Sequence, residues 1–230
     1  MQYAWLIWSL ILIGVWGIIY FFLDTKDKKR EMLIVSLVTS LLGFTEPLFV
    51  PKYWNPPSLF NLAERTGFDI ESLIFSFGIG GIAVIFYEWI FHTKHKKISF
   101  HEKHLARHRY HIATLLSAPV IFVFFLFFID INPIYSAIIA MLGGGLATWY
   151  CRPDLKKKMF SSAAIFLGLY FAYFITLINM YPGYVEKVWN FQTISGILIM
   201  GIPLEELLFA LSFGFIWSSV YEHITWRKVK

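Results

Sequence analysis

The residues best suited to chemistry in this chain are acids set in apolar sequence. Pro203-Leu204-Glu205-Glu206-Leu207-Leu208-Phe209 aligns without a gap with Asp69-Ile70-Glu71-Ser72-Leu73-Ile74-Phe75 at an offset of 134 residues, and Tyr221-Glu222 matches Tyr87-Glu88 at the same offset. A carboxylate at the centre of a membrane helix costs about 2.5 to 3.5 kcal/mol on insertion scales, so it is retained where it faces a protein interior and does something there. Glu46, just before Pro47, is a further acid at the end of an apolar stretch. On helical spacing Glu205, Leu208, Phe209 and Ser212 share one face, as do Glu71, Ile74, Phe75 and Gly78. A carboxyl held among Phe and Leu can keep a proton for delivery. A carboxylate beside aromatic rings can stabilise a carbocation, with the rings adding cation–π attraction. Protonating an alkene inside a membrane needs both. For Asp69 and Glu71 a second reading stands beside this one, an acidic cap at the positive end of a helix. Proline at the first turn makes Pro203-Leu204-Glu205-Glu206 either a helix start or a kink.

Histidine offers a competing centre. Six of the seven histidines fall in three pairs spaced by three, His92/His95, His101/His104 and His108/His111, and on a helix such a pair can present metal ligands on one face. Should a metal bind, Glu88, Glu222 and His223 lie on the same side to complete its shell. The plainer reading is a basic loop beside anionic headgroups, and no metal is assigned. Tyr87-Glu88 and Tyr221-Glu222 read as interfacial by position.

These residues require membrane-spanning elements to position them. The chain is 57% hydrophobic and 20% aromatic over 230 residues, too apolar for an ordinary soluble domain. Windows of about 20 apolar residues, the length that crosses a bilayer, fall at 3–23, 32–50, 69–91, 111–130, 133–151, 159–180 and 197–223, giving seven spans. Lysine and arginine concentrate after spans one, three and five and in the tail, leaving Lys52, Arg65 and Lys187 opposite, so the N-terminus is expected outside and the C-terminus in the cytoplasm of a cell membrane. The net charge of +5 is thereby a matter of topology, and no nucleic-acid partner is expected. The first span has no basic n-region or small-residue cleavage site and is expected to be retained, with 24–31 as its anchor. The single cysteine, Cys151, excludes an internal disulfide and a cysteine metal cluster.

The repeat extends upstream, where Pro51-Lys52-Tyr53-Trp54-Asn55 resembles Glu186-Lys187-Val188-Trp189-Asn190. The expected architecture is all-α, with two parallel three-helix repeats, residues 1–92 and 132–230, joined through a basic loop and linking helix at 93–131 that keeps both copies in one orientation. Gly78, Gly80, Gly81 and Gly143 to Gly145 read as close-packing positions, and no strand–turn–helix context supports a dinucleotide site.

With these features in place, Pro203-Leu204-Glu205-Glu206-Leu207-Leu208-Phe209 resembles the Pro-x-Glu-Glu/Asp-x-x-Phe signature of the heterodimeric-type lycopene cyclases, integral-membrane enzymes whose two three-span subunits also occur fused. The resemblance implies cyclisation of the linear ends of lycopene to ionone rings with no cofactor and no net redox change. It implies Glu205 and Glu206 as leading catalytic residues, with Glu71 as first-half counterpart; in the expected mechanism Glu205 or Glu206 protonates the terminal alkene, and a carboxylate, Glu46 or Glu71, removes the ring proton. A carotenoid polyene and membrane lipids are the implied partners; a homo-oligomer is compatible with the sequence. The first copy departs from the signature with Asp69 in place of proline and Ser72 in place of the second acid. Phe75, Phe209, Phe213 and Trp217 are the expected polyene contacts. The rival classes are a membrane carrier or proton-coupled transporter of a lipophilic solute and a histidine-loop metal enzyme. A retinal protein would need a lysine in the last span, and Ile194 to Ile224 contains none.

Overall fold

A computed structural model describes residues 1–229. Among the described residues, seven helices are long and apolar enough to cross a membrane: α1 (Ala4–Phe22), α2 (Lys26–Phe49), α3 (Ile70–Phe91), α4 (Ala106–Phe128), α5 (Pro133–Cys151), α6 (Pro153–Met180) and α7 (Leu204–Thr225). Strand among the described residues is confined to two short antiparallel pairs, β1 (His95–Lys97) with β4 (Arg227–Val229) and β2 (Leu198–Ile199) with β3 (Ile202–Pro203). The protein is therefore all-α and of membrane type, as its apolar windows imply.

Four helix starts differ from the sequence expectation, α4 by opening with a 3₁₀ turn at Ala106, five residues before the expected 111. Helix α2 begins at Lys26 rather than six residues later because the Thr25 side chain accepts the Lys28 N–H and caps it, drawing the charged run into the helix. Helix α6 likewise begins early, with Pro153 opening a 3₁₀ turn. Helix α7 starts late. Residues 197–203, expected as its first turns, instead form the β2–β3 hairpin, whose two-residue turn sets Met200 at φ 52 and Gly201 at φ 82. Positive φ at both central positions defines the turn whose twist suits a two-residue hairpin, and glycine adopts it without penalty.

The contacts divide the chain into two compact units. The first comprises Met1–Ile82, Asn132–Ile134 and Gly168–Leu207. In it α1 turns Trp5, Trp8, Ser9 and Leu12 inward at the spacing of one helical face. Trp8 and Tyr173 bind reciprocally: Trp8 Nε1 donates to the Tyr173 carbonyl at 3.2 Å, and Tyr173 Oη donates to the Trp8 carbonyl at 2.6 Å. Their rings stack at 4.2 Å. Trp16 Nε1 donates to Ser36 Oγ at 2.8 Å, tying α1 to α2 at Gly81 of α3.

The second unit comprises Ala83–Ile131, Tyr135–Leu167 and Leu208–Lys230. Its strand pair places His95 opposite Val229 and Lys97 opposite Arg227. Arg152, fully buried, is held by Asp154 at 2.7 and 2.9 Å and donates to the Glu222 and Arg227 carbonyls. The segment His111–Phe128 of α4 carries no buried residue and offers an apolar surface suited to lipid.

A Cβ at position 81 would press on both partners of the Trp16–Ser36 bond, whereas one at Gly168 meets nothing within 4 Å. Gly81→Val is expected to cost about 1 to 3 kcal/mol through overpacking and to lower the melting temperature in detergent, with Gly168→Ala unchanged. Equal melting curves for the two variants would contradict this packing.

Candidate functional site

The acids of the second motif are placed by the hairpin. Leu204 donates its N–H to the Ile197 carbonyl, α7 begins at once, and Glu205 and Glu206 stand in its first turn, where the positive end of the helix favours a carboxylate. Pro-Leu-Glu-Glu is thus a helix start. Glu205 is 1% exposed and Glu206 is 6% exposed, so both must find their hydrogen bonds within the protein.

Glu206 finds three. Its Oε1 accepts from Tyr53 Oη at 2.6 Å and from Trp189 Nε1 at 2.9 Å, and its Oε2 accepts from Tyr170 Oη at 2.6 Å. Short O–H···O bonds are the mark of a charge-assisted acceptor. The donors come from three distant stretches, and two of these are paired directly. Trp54 and Trp189 form an antiparallel bridge, Asn55 donates its N–H to the Val188 carbonyl, and Asn190 donates to the Tyr53 carbonyl. The two segments joined here are the pair whose sequences match, 51–55 and 186–190. The Lys52 carbonyl adds bonds from Thr193 Oγ1, Asn132 Nδ2 and Asn190 Nδ2. Burial and the adjacent carboxylate push the Tyr53 hydroxyl far above its ordinary pKa, so it stays a donor.

Glu205 and Glu71 occupy matching positions and make matching bonds. Glu205 Oε1 accepts the Ser195 N–H at 2.8 Å, and Glu71 Oε1 accepts the Leu59 N–H at 2.7 Å, each from the loop preceding its own helix. Glu71 is 1% exposed and its Oε2 has no hydrogen-bond partner. Asp69 caps α3 by accepting the Ser72 N–H, which realises the capping alternative for that residue; burial raises its pKa. Glu46 is buried within α2, at the start of the short helical stretch Glu46–Phe49.

Of the expected polyene contacts, Phe75 belongs to the first unit, where Trp5 lies 5.1 Å and Trp8 5.9 Å from it, ring centre to ring centre, and Tyr170 lies at 6.5 Å. Phe209, Phe213 and Trp217 form a stacked row in the second unit, with centres 5.5 and 4.8 Å apart. Tyr53, Tyr170 and Trp189 were not singled out as site residues from sequence. Trp189 had a signal in the matched segments; Tyr170 had none.

The second unit holds a different ionic centre. Glu88 and Glu222, read from sequence as interfacial, are fully buried, and Lys158 Nζ donates to Glu88 Oε1 at 2.7 Å and to Glu222 Oε1 at 2.5 Å. His95 Nε2 lies 2.8 and 3.0 Å from the same two oxygens. The ammonium shared between two carboxylates explains their burial. Such a cluster is weak evidence of net stabilisation, but removing one partner strands the charge that remains.

Residues 132–224 match the family model described as lycopene cyclase. The match includes α5, α6, most of α7 and both Glu205 and Glu206. No curated protein and no solved structure matches the chain.

Lys158→Met leaves Glu88 and Glu222 facing one another without their cation. Loss of about 3 to 5 kcal/mol is expected, read as a lower melting temperature and reduced folded yield in detergent. Full recovery on adding Glu88→Gln and Glu222→Gln would attribute the loss to charge rather than packing; an unaltered melting temperature in Lys158→Met itself would contradict the assignment.

Proposed function

We propose, on the premise that residues 132–224 belong to the lycopene cyclase family, that this membrane protein is a carotenoid cyclase closing the linear ends of lycopene or a similar polyene to ionone rings. The observation that carries this reading is the Glu206 carboxylate, buried in the family-matched segment and bound by three donors. That arrangement is a fixed negative charge ringed by aromatic side chains, suited to a carbocation.

The roles follow from which oxygens are already engaged. Glu206 accepts on both oxygens and is assigned as the charge that stabilises the cation. An acid must have an O–H directed at the alkene, and the open Oε2 of Glu71 suits it. The carboxyl O–H bond breaks as its proton joins the terminal alkene carbon, leaving a tertiary cation and a carboxylate. The neighbouring double bond attacks that cation, closing the ring and moving the charge to a ring carbon. A carboxylate, Glu205 or Glu46, removes an adjacent ring proton and restores a double bond. Hydrogen gained equals hydrogen lost, so the product is an isomer and no redox cofactor takes part.

The same reading extends to architecture and placement. Residues 1–92 and 132–230 are two parallel repeats joined through 93–131. Supporting this are the matching bonds of Glu71 and Glu205 to their preceding loops and the pairing of Trp54 with Trp189. Phe75 offers one aromatic contact to a polyene, and the stacked row of Phe209, Phe213 and Trp217 offers another. The distribution of lysine and arginine supports a cell membrane location with the C-terminus cytoplasmic.

Expression in a bacterium that accumulates lycopene, followed by liquid chromatography of its pigments, tests the function. The wild-type chain is expected to yield monocyclic or bicyclic carotene. Glu206→Gln should reduce conversion by about 100-fold or more, the scale of losing a charge aimed at the transition state, with Tyr170→Phe intermediate. Unchanged lycopene with wild-type protein present in the membrane would overturn the cyclase reading, and full conversion by Glu206→Gln would overturn the assigned role.

A further inference from the structure

Apart from the carboxylate centres, the second unit gathers histidine and cysteine. Cys151 lies 43 residues from His108 and 40 from His111 in sequence, yet His108 Nδ1 lies 3.4 Å and His111 Nδ1 3.5 Å from Cys151 Sγ. One ligand atom from each of the three lies within 4.8 Å of the others. His108 and Cys151 are buried and His111 is half-buried.

We propose that His108, His111 and Cys151 form a binding site for a borderline-soft divalent cation of the zinc class, with the neighbouring His223 turning in to complete its shell.

The spacing fits such an ion. Metal–sulfur bonds of about 2.3 Å and metal–nitrogen bonds of about 2.0 to 2.1 Å in a tetrahedral shell put sulfur and nitrogen about 3.5 Å apart. The observed separations of 3.4 and 3.5 Å therefore need little rearrangement to admit the ion. Both imidazoles present the same nitrogen, Nδ1, to the thiol. A single thiol proton cannot serve two nitrogens at once, whereas a thiolate bound to a metal leaves each imidazole neutral and ligating.

His223 supplies the independent sign. It is 1% exposed, its Nδ1 lies 3.3 Å from Thr148 Oγ1, and its Nε2 has no hydrogen-bond partner. Its ring stands edge-on to that of His111 with centres 4.6 Å apart. A buried imidazole nitrogen without a partner calls for an explanation, and a metal ion satisfies it.

The surroundings hold the ligands in place. The Trp226 ring stacks on His111 at 4.0 Å and meets His108 edge-on at 5.2 Å, fixing both imidazole planes as supporting residues do at metal centres. Cys151 is the last residue of α5, and the negative end of that helix favours a cation. Arg152, the nearest buried positive charge, is neutralised by Asp154. Arg107 Nε lies 3.4 Å from His108 Nε2, which carries a proton once Nδ1 is ligated. Arg107 is exposed, so its side chain can turn away as the metal enters. Once His223 turns in, the shell has four protein ligands and is closed, which makes this a structural ion joining the first turns of α4 to the ends of α5 and α7. Binding displaces the thiol proton to solvent and involves no electron transfer.

This inference does not depend on the cyclase reading. It is tested with tag-free protein purified in detergent, stripped with a chelator and dialysed against Zn²⁺ or Co²⁺ alone. About one ion per chain is expected, with Co²⁺ giving a near-ultraviolet thiolate charge-transfer band and Zn²⁺ raising the melting temperature of the folded apoprotein. Cys151→Ser should lose the band, and His111→Ala and His223→Ala should each lose the stoichiometric ion. His92→Ala and His101→Ala, outside the group, should retain it. The absence of stoichiometric metal and of a melting shift in wild-type protein would overturn the proposal. So would equal binding by the Cys151→Ser, His111→Ala and control variants, which would mark adventitious capture by the histidine-rich loop. The wild-type melting shift and charge-transfer band need no variant to fold.

Discussion

A carboxylate placed in hydrocarbon-length sequence must find its hydrogen-bond donors inside the protein, because lipid supplies none. Much of the first unit is organised by how Glu206 meets that demand. Tyr53, Tyr170 and Trp189 must all arrive at one side chain, and to bring them there the segments at 51–55 and 186–190 pair as extended backbone while the end of α6 closes on them. The Trp8–Tyr173 stack and its two hydrogen bonds lie one turn from Tyr170 and anchor that part of α6 against α1. Tyrosine and tryptophan suit this task because each carries a polar handle on an apolar body, so it can solvate the charge without adding another.

The second unit meets the same demand with charge instead of neutral donors. Glu88 and Glu222 share the Lys158 ammonium, with His95 on the same oxygens. The contrast bears on function. A carboxylate matched by an ammonium has its charge already answered, which suits structure. A carboxylate held only by neutral O–H and N–H groups keeps its charge available to a cationic intermediate. This is why the chemistry is assigned to Glu206 and its neighbours rather than to the repeat-matched Glu88 and Glu222.

The sequence reading identified the seven spans and the acids in apolar surroundings because both are written in local composition. It was least successful where backbone geometry decides. The apolar run 197–203 looked like helix, but Met200 and Gly201 adopt positive φ and turn it into a hairpin, so α7 begins at Leu204. The second span was expected to begin at 32, after the charged anchor at 24–31, but the Thr25 cap makes the run from Lys26 the first turns of α2. Tyr170 could not have been singled out, since a tyrosine in an aromatic-rich span looks the same whether it faces lipid or a carboxylate. Lys158 was hidden for a related reason. It is one of three consecutive lysines at the end of a span, and a basic cluster reads as topology until the structure shows which member turns inward.

The central claim is that ring closure starts with a proton from a carboxyl and ends with loss of a proton, leaving no net redox change. Cyclisation carried out by membranes containing this protein in deuterated water, followed by mass spectrometry of the carotene, tests it most directly. Exchangeable carboxyl protons become deuterons, so the product should gain one deuterium for each ring formed and otherwise remain an isomer of the substrate. A cyclic product without solvent deuterium, or one differing from its substrate by a pair of hydrogens, would contradict proton-initiated cyclisation.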